Sequence, residues 1–204
     1  ELVRVMHEVG MLHPHCGYGG RFCTWMMKND TEPYGSYGNG SAMRVSPVAW
    51  FAGSLDECEK LAAATAEVTH NHPEGIKGAV AVAGAIYLAR MSRSMAEIRE
   101  YAERFYPIDF TLNEIRPDYD FVETCQGSVP QALEAFFEST GFEDAIRNAV
   151  SIGGDSDTIA DMAGAIAEAY YGADPEMKDI ALSYLDQDLL DIAEEFERRI
   201  ILKT

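Results

Sequence analysis

An apolar run of mostly small residues, AVAVAGAIYLA at positions 79–89, constrains the fold of this chain more than any other feature. The run alternates briefly in the manner of a strand, but it is long, rich in alanine and flanked by helix signals. A run of this length and composition predicts a buried helix. Its small residues would let the backbones of neighbouring elements come close: Ala79, Ala83, Gly84 and Ala85.

Signals for the start of a helix recur along the rest of the chain. A serine followed three residues later by Glu or Gln predicts a capping box, in which each residue satisfies a backbone amide of the other. Three pairs have this spacing: Ser54 with Glu57, Ser94 with Glu97 and, more weakly, Ser128 with Gln131. Asp174 followed by Pro175 predicts one more helix start.

Signals for helix ends complete the pattern. Pro107 is predicted to stop the helix that follows Ser94, and Gly141 is predicted to form a left-handed cap after the helix that contains Phe136. The sequence shows no convincing strand, repeat or linker. We therefore predict an all-α fold, a compact orthogonal multi-helix bundle that forms a single domain over residues 1–204.

The net charge limits the kind of partner that the chain can bind, and the cysteines indicate the cellular compartment. A formal net charge of −18 repels phosphate groups, so neither nucleic acid nor an anionic membrane is expected as a partner. No apolar run reaches the length of about 18 residues that a membrane span needs, and no signal peptide is recognisable. Four cysteines without a C-x-x-C pair indicate free thiols, which is typical of a cytoplasmic protein. The negative charge either serves solubility or includes carboxylates that converge on cations.

Three irregular segments interrupt the predicted helices, at residues 34–46, 69–78 and 151–158. Each is rich in Gly, Asn, His or Asp. Loops of a rigid helical scaffold are where binding and catalytic residues concentrate, so we expect function in these segments.

The third segment contains GGDSDT, residues 153–158, directly before an apolar helical stripe. Asp155 or Asp157 could cap that helix, since a carboxylate is favourable at the positive end of the helix dipole. Two carboxylates two residues apart, followed by the Thr158 hydroxyl, repel each other unless a cation lies between them. Oxygen ligands of this kind suit Mg²⁺, Mn²⁺ or Ca²⁺. The spacing alone leaves the cap and the metal site open.

The first two segments allow a binding interpretation beside a structural one. The glycines of PYGSYGNGSAMR, residues 33–44, either form a simple turn before a helix or expose backbone amides to a phosphate or ribose. Tyr34 and Tyr37 could stack on a base. In THNHPEGIKGA, residues 69–79, His70 and His72 are either parts of a capped loop or hydrogen-bond donors to a ligand.

Taken together, SYGNGSAMR, THNHPEGIKGA and GGDSDTIADMAGAIAEAYYG resemble the ADP-ribosylglycohydrolase family in their order and over essentially the whole chain. The family comprises ADP-ribosylhydrolases and dinitrogenase reductase-activating glycohydrolases. The resemblance implies an all-α fold with two Mg²⁺ or Mn²⁺ ions in a central cleft. It also implies hydrolysis at the anomeric ribose carbon of an ADP-ribosylated protein or a small-molecule ADP-ribose conjugate.

The resemblance assigns roles to individual residues. Metal ligation is implied for Asp155, Asp157 and Thr158. Substrate binding is implied for Ser36, Tyr37, Gly38, Asn39, Gly40, Ser41, Met43 and His70. No catalytic base is assigned within this chain.

The chain departs from the family pattern on its N-terminal side. Family members carry two further acidic motifs, a Gly-Asp segment with a nearby Glu and a Thr-Asp-Asp-Thr segment, before the region that ELVRVMHEVG matches. NDTEP at residues 29–33 superficially resembles the second motif but lies directly before the glycine loop. We therefore expect an N-terminally truncated or degenerate member that binds metal weakly and that could form a homodimer through uncovered apolar surface.

Three functions remain open on this basis. The first is a hydrolase of ADP-ribosylated acceptors that depends on Mg²⁺ or Mn²⁺. The second is a module that binds ADP-ribose or a related nucleotide with little or no catalysis. The third, a purely structural helical protein, is disfavoured by the presence of SYGNGSAMR.

Overall fold

A computed structural model describes residues 1–201. Over these residues the chain forms thirteen helices and no strand, which confirms the all-α prediction. The helices are α1 (Leu2–Leu12), α2 (Gly20–Met27), α3 (Gly40–Met43), α4 (Ser46–Phe51), α5 (Leu55–Glu67), α6 (Pro73–Arg90), α7 (Met95–Glu103), α8 (Leu112–Ile115), α9 (Cys125–Phe137), α10 (Phe142–Ser151), α11 (Ser156–Tyr171), α12 (Pro175–Leu182) and α13 (Gln187–Ile201).

The small-residue run lies in α6, which is the central helix and is buried on most of its faces. It contacts α3, α4, α5, α7, α9 and α11. Gly84 shows why small residues are needed, because the Tyr101 ring of α7 occupies the space that a side chain would fill. The prediction of a closely packed, buried helix is therefore confirmed.

The second structural centre is α11, which follows the GGDSDT motif. It packs against α6, α9 and α10, and its apolar stripe is buried in the core through Ile159, Met162 and Ile166. Burial of each of these three side chains stabilises the folded state by roughly 1.5–3 kcal/mol. Packing on three helices thus holds the start of α11 in a defined position.

The capping predictions agree with the structure in part. Ser94 and Glu97 form the full box, with the Glu97 amide 3.3 Å from Ser94 Oγ and the Ser94 amide 2.9 Å from Glu97 Oε2. Ser54 accepts from the Glu57 amide at 3.2 Å, but the Glu57 carboxylate accepts from Gly53 instead of Ser54. Asp174 and Pro175 begin α12 as expected.

Two predicted boundaries are wrong. The helix expected to start at Ser128 starts at Cys125, because burial of Cys125 and Val129 in the core extends it by about one turn. The Ser128 hydroxyl then donates to the Thr124 carbonyl at 2.8 Å within that helix. Gly141 is not left-handed: its φ of −179° is extended, and it precedes α10 as the N-cap residue.

The outer helices carry less of the core. No residue of α12 or α13 is buried over the part of α13 that the structure describes. The Phe196 ring of α13 contacts Phe51 at a centroid distance of 5.3 Å. Between residues 1 and 201, no helix has both the length and the apolar character that crossing a bilayer requires.

Candidate functional site

The three irregular segments converge at one place. The glycine loop, residues 34–40, lies between residues 69–71 and the segment 123–125 that leads into α9. The Ser36 amide donates to the Thr69 carbonyl at 3.3 Å, and the Asn39 amide donates to the Glu123 carbonyl at 2.8 Å. Gly38 and Thr124 form an isolated antiparallel bridge. These backbone bonds fix the loop against two other parts of the chain.

Glycine is needed in this loop for reasons of conformation and space. Gly35 has a φ of +63°, which favours glycine, and its amide donates to Asn71 Oδ1 at 2.7 Å. A side chain at Gly75, at the start of α6, would lie 2.7 Å from the Ser36 carbonyl oxygen. The close approach of backbone to backbone therefore depends on the absence of a Cβ atom at Gly75.

Asp155 connects the acidic motif with the glycine loop. It occupies the N-cap position of α11 but makes no side-chain capping bond. Its Oδ2 instead accepts from Asn39 Nδ2 at 2.6 Å, across 116 positions of sequence. Gly153 and Gly154 allow this direction with φ values of +76° and +66°, and Gly154 lies against the Tyr119 ring. The structure therefore gives Asp155 a role other than the helix cap.

Asp157 and Thr158 lie beside Asp155 at the start of α11. The Thr158 amide donates to Asp157 Oδ1 at 3.0 Å within the first turn of α11. Burial raises the pKa of Asp155, the Asn39 amide opposes the rise, and the neighbouring Asp157 carboxyl adds to it. Among residues 1–201 neither aspartate forms an ion pair with Lys, Arg or His. Two neighbouring carboxylates thus lack a protein cation to balance them.

Asp161 is an acidic residue that sequence analysis missed. It lies one helical turn after Asp157, and the spacing of four residues on one helix face was the available signal. The residue as a whole is exposed, and partial burial of its carboxyl group, followed by the charge of Asp157, raises the pKa of Asp161.

His70 is buried beneath the glycine loop. Its Nδ1 lies 2.7 Å from the Thr69 hydroxyl, and its Nε2 faces Gly38 and Gly40. Burial, followed by the charges of Arg44 and Arg21, lowers the pKa of His70 to about 3, so the imidazole is neutral at physiological pH. His72, in contrast to the buried His70, is exposed. It caps α6 by accepting from the Glu74 amide at 3.1 Å.

The other residues assigned to substrate binding divide into buried and exposed ones. Ser36 is buried and accepts from the Gly38 amide at 3.1 Å, while the fully buried Ser41 donates to the Gly75 carbonyl at 2.7 Å. Tyr37 and Met43 are exposed, and the Tyr37 ring packs on His72 at 5.2 Å between centroids. The buried pair shapes the loop, and the exposed pair presents apolar surface beside it.

The donor set fits one side of a metal site. Within the described part of the chain, no three side chains of the His, Cys, Asp and Glu type are grouped so that they could hold a metal ion. The carboxylates of Asp155 and Asp157 and the hydroxyl of Thr158 are hard oxygen donors, the type that Mg²⁺ and Mn²⁺ prefer. Three side chains are too few for two ions that each take about six oxygen ligands.

Comparison with known proteins identifies the family that this chain resembles. A family model described as ADP-ribosylglycohydrolase matches residues 6–202. The human protein ADP-ribosylhydrolase ARH3 is 31% identical, with 69% of this chain and 52% of that protein covered. The Rhodospirillum rubrum protein ADP-ribosyl-[dinitrogen reductase] glycohydrolase is 30% identical, with 83% of this chain and 58% of that protein covered.

A solved structure has a similar fold. A chain titled ADP-ribosylglycohydrolase-related protein complex superposes with a TM-score of 0.70 at 23% identity, covering 98% of this chain and 72% of that chain. The chain described here spans about half the length of the curated relatives that it matches.

Proposed function

The chain belongs to the ADP-ribosylglycohydrolase family, and from this premise we propose that it contributes to hydrolysis of ADP-ribosylated acceptors at the anomeric carbon of the ribose. The observation that carries the proposal is the Asn39–Asp155 hydrogen bond. It joins the loop suited to a diphosphate and ribose with the acidic start of α11. A ligand that lies across both would have its sugar next to the carboxylates.

The glycine loop would hold the nucleotide part of the substrate. The amides of Gly35, Ser36, Gly38 and Asn39 already donate within the protein, so the amides of Tyr37 and Gly40 would bind an anionic oxygen here. The exposed Tyr37 ring offers a flat apolar face for a base. Because the whole chain is acidic, attraction of an anionic ligand must come from this local arrangement.

The acidic start of α11 would hold one side of the metal centre. We propose Asp155, Asp157 and Thr158 as ligands of Mg²⁺ or Mn²⁺, with further ligands supplied from outside this set. The supporting observation is the pair of neighbouring carboxylates with no cationic side chain, described above. When bound, divalent ions orient the ribose hydroxyls and stabilise negative charge. Asn39 keeps the Asp155 carboxylate turned toward the glycine loop.

Release of ADP-ribose from modified peptides tests the proposal. We expect the chain, alone or with the remainder of the family domain, to release ADP-ribose in the presence of Mg²⁺ or Mn²⁺ and not after chelation. Asp155→Asn should lower the rate at least tenfold, a loss of about 1.4 kcal/mol in transition-state stabilisation. Asp174→Asn is the matched control, because Asp174 caps the exposed helix α12. Equal rates for the two variants would contradict the proposal.

A second function is supported by the ligand count. Three oxygen donors cannot complete two metal shells, so a module that binds ADP-ribose with little or no catalysis is the alternative. Its partners would be ADP-ribosylated proteins or small-molecule ADP-ribose conjugates. Thermal stabilisation by ADP-ribose without release from a modified peptide would favour this function over hydrolysis.

A further inference from the structure

A chain of hydrogen bonds below the glycine loop involves two residues to which no role in ligand binding has been assigned, Arg44 and Thr69. Arg44 Nη2 donates to Thr69 Oγ1 at 2.8 Å and to the Thr65 carbonyl at 3.0 Å. Thr69 Oγ1 in turn lies 2.7 Å from His70 Nδ1. Thr69 is fully buried and His70 is 5% exposed, so water does not compete for these bonds.

The chemistry of the three groups sets the direction of the bonds. A guanidinium group only donates, so Thr69 Oγ1 accepts from Arg44. Within hydrogen-bond distance, the described side-chain partners of Thr69 Oγ1 are Arg44 Nη2 and His70 Nδ1. The single hydroxyl proton of Thr69 is then available for His70 Nδ1. An imidazole that accepts at Nδ1 carries its proton at Nε2.

We propose that Arg44 and Thr69 are positioning residues that hold His70 as a neutral imidazole with its proton on Nε2. From there the Nε2–H group donates to an oxygen of the bound ligand above the glycine loop. This last step rests on the proposed function, whereas the position of the proton does not.

The surroundings of Nε2 support a ligand on that side. The atom lies 3.4 Å from the point where a Cβ on Gly40 would be and 3.6 Å from the same point on Gly38. Among the described contacts, the only side-chain hydrogen bond of the His70 ring is formed through Nδ1 and leaves Nε2 without one. Glycine at both positions leaves this donor open toward the loop, and a diphosphate or ribose oxygen would satisfy it.

The charges near the His70 ring also favour its neutral form. The charged and titratable groups that face His70 are Arg44, Arg21 and Tyr34. Two positive charges and burial disfavour the imidazolium form. His70 is therefore expected to donate from Nε2 without a change in protonation between pH 5 and pH 8.

The position of the proton is measured by NMR on the ligand-free chain labelled with ¹⁵N-histidine. Long-range ¹H–¹⁵N correlations distinguish a protonated from an unprotonated ring nitrogen, and His70→Gln assigns the signals. We expect Nε2–H in the unmodified chain, loss of this preference in Thr69→Val, and its recovery in Thr69→Ser. Thr65→Val is the matched control, because it removes a hydroxyl one turn earlier that bonds only to the Ala62 carbonyl among the described contacts.

Binding of ADP-ribose is the second readout, by isothermal titration. Thr69→Val should weaken binding on the order of tenfold, the loss of one hydrogen bond in a buried site, and Thr69→Ser should restore it. Nδ1–H in the unmodified chain, or an unchanged Nε2–H preference in Thr69→Val, would overturn the inference. An unmodified chain with Nε2–H that fails to bind ADP-ribose would support the positioning of His70 and count against the proposed function.

Discussion

At the scale of single residues, Asp155 shows how the same side chain can suit two roles. Its position before α11 is that of a helix cap, yet its carboxylate bonds to Asn39 and lies beside a second carboxylate. Such an arrangement is unfavourable for a metal-free protein, because burial and a like charge both disfavour the ionised form. Carboxylates whose pKa is raised by burial and by a neighbouring like charge are found more often at functional sites.

Replacing Asp155 by Asn should therefore separate stability from metal binding. Without metal, Asp155→Asn should be as stable as the unmodified chain or more stable, because the repulsion with Asp157 is removed. Urea denaturation with and without Mn²⁺ checks this, and stabilisation by Mn²⁺ should be lost in the variant. A variant less stable than the unmodified chain in the absence of metal would contradict the explanation.

The lowered pKa of His70 predicts that the stability of the fold depends on pH. Its pKa falls from 6.5 to about 3 on folding, so below pH 6.5 the unfolded chain binds a proton that the folded chain does not. Stability from this group is complete above pH 6.5 and is lost as the pH falls toward 3, by at most about 1.4 kcal/mol for each pH unit. His70→Gln should flatten the stability profile between pH 6 and pH 4. A profile for His70→Gln that runs parallel to that of the unmodified chain would contradict this assignment.

At the scale of elements, α6 and α11 each contain a glycine that faces a neighbouring helix. The two glycines differ in how much space surrounds them. A Cβ at Gly84 in α6 would overlap the Tyr101 ring, and Tyr101 itself donates to Glu59 at 3.0 Å. A Cβ at Gly164 in α11 would lie 3.4 Å from the nearest Ile146 atom, an ordinary contact. The two positions read alike in the sequence, and only the packing of neighbouring helices distinguishes them.

Alanine substitutions at these two glycines should differ in their effect on the free energy of unfolding. Gly84→Ala should lower the free energy of unfolding by about 1–3 kcal/mol, because the ring has to move. Gly164→Ala should change it little or raise it by up to about 1 kcal/mol, because alanine restricts the unfolded chain and favours a helix. Equilibrium urea unfolding measures both, and equal destabilisation by the two variants would contradict the packing described here.

At the scale of the whole molecule, a well-buried helical core is surrounded by outer helices with exposed apolar side chains. Leu12 of α1 is 68% exposed, Met27 of α2 is 70% exposed and Tyr184, after α12, is 84% exposed. Exposed apolar surface of this kind favours association, while the net charge of −18 opposes it. The formation of a homodimer through this surface stays a prediction.

Light scattering over a range of concentration and salt tests that prediction. Salt screens the repulsion between like-charged chains, so the dimer fraction should rise with ionic strength. Leu12→Glu should reduce it, and Leu61→Glu, on the exposed face of α5, serves as the control. A monomer at every concentration and salt level would contradict the prediction.

The affinity for metal is also a property of the whole molecule, because it depends on how many ligands the chain supplies. Three oxygen donors from one segment should bind Mg²⁺ or Mn²⁺ only weakly. Isothermal titration of the chain alone should show affinity weaker than micromolar. Sub-micromolar binding would contradict the ligand count.

Local signals in the sequence determined the class of fold and the positions of six of the thirteen described helices. Capping at Ser94 and Asp174 and the small-residue run of α6 act over a few neighbouring residues, so their effects follow from the local order of amino acids. The start of α9 at Cys125 was not predictable in this way, because burial against distant helices decides it. The three motifs of the site were recognisable in the sequence as a resemblance, but their mutual contacts were not.

Tertiary structure alone decided how the site is assembled. The Asn39–Asp155 bond and the Arg44–Thr69 bond both join groups that the sequence does not place together. Hydrogen bonds and electrostatic shifts act over a few ångströms in space, whatever the separation along the chain. For that reason the sequence by itself determined which residues were available for the chemistry, and only packing of the helices determined which of them meet.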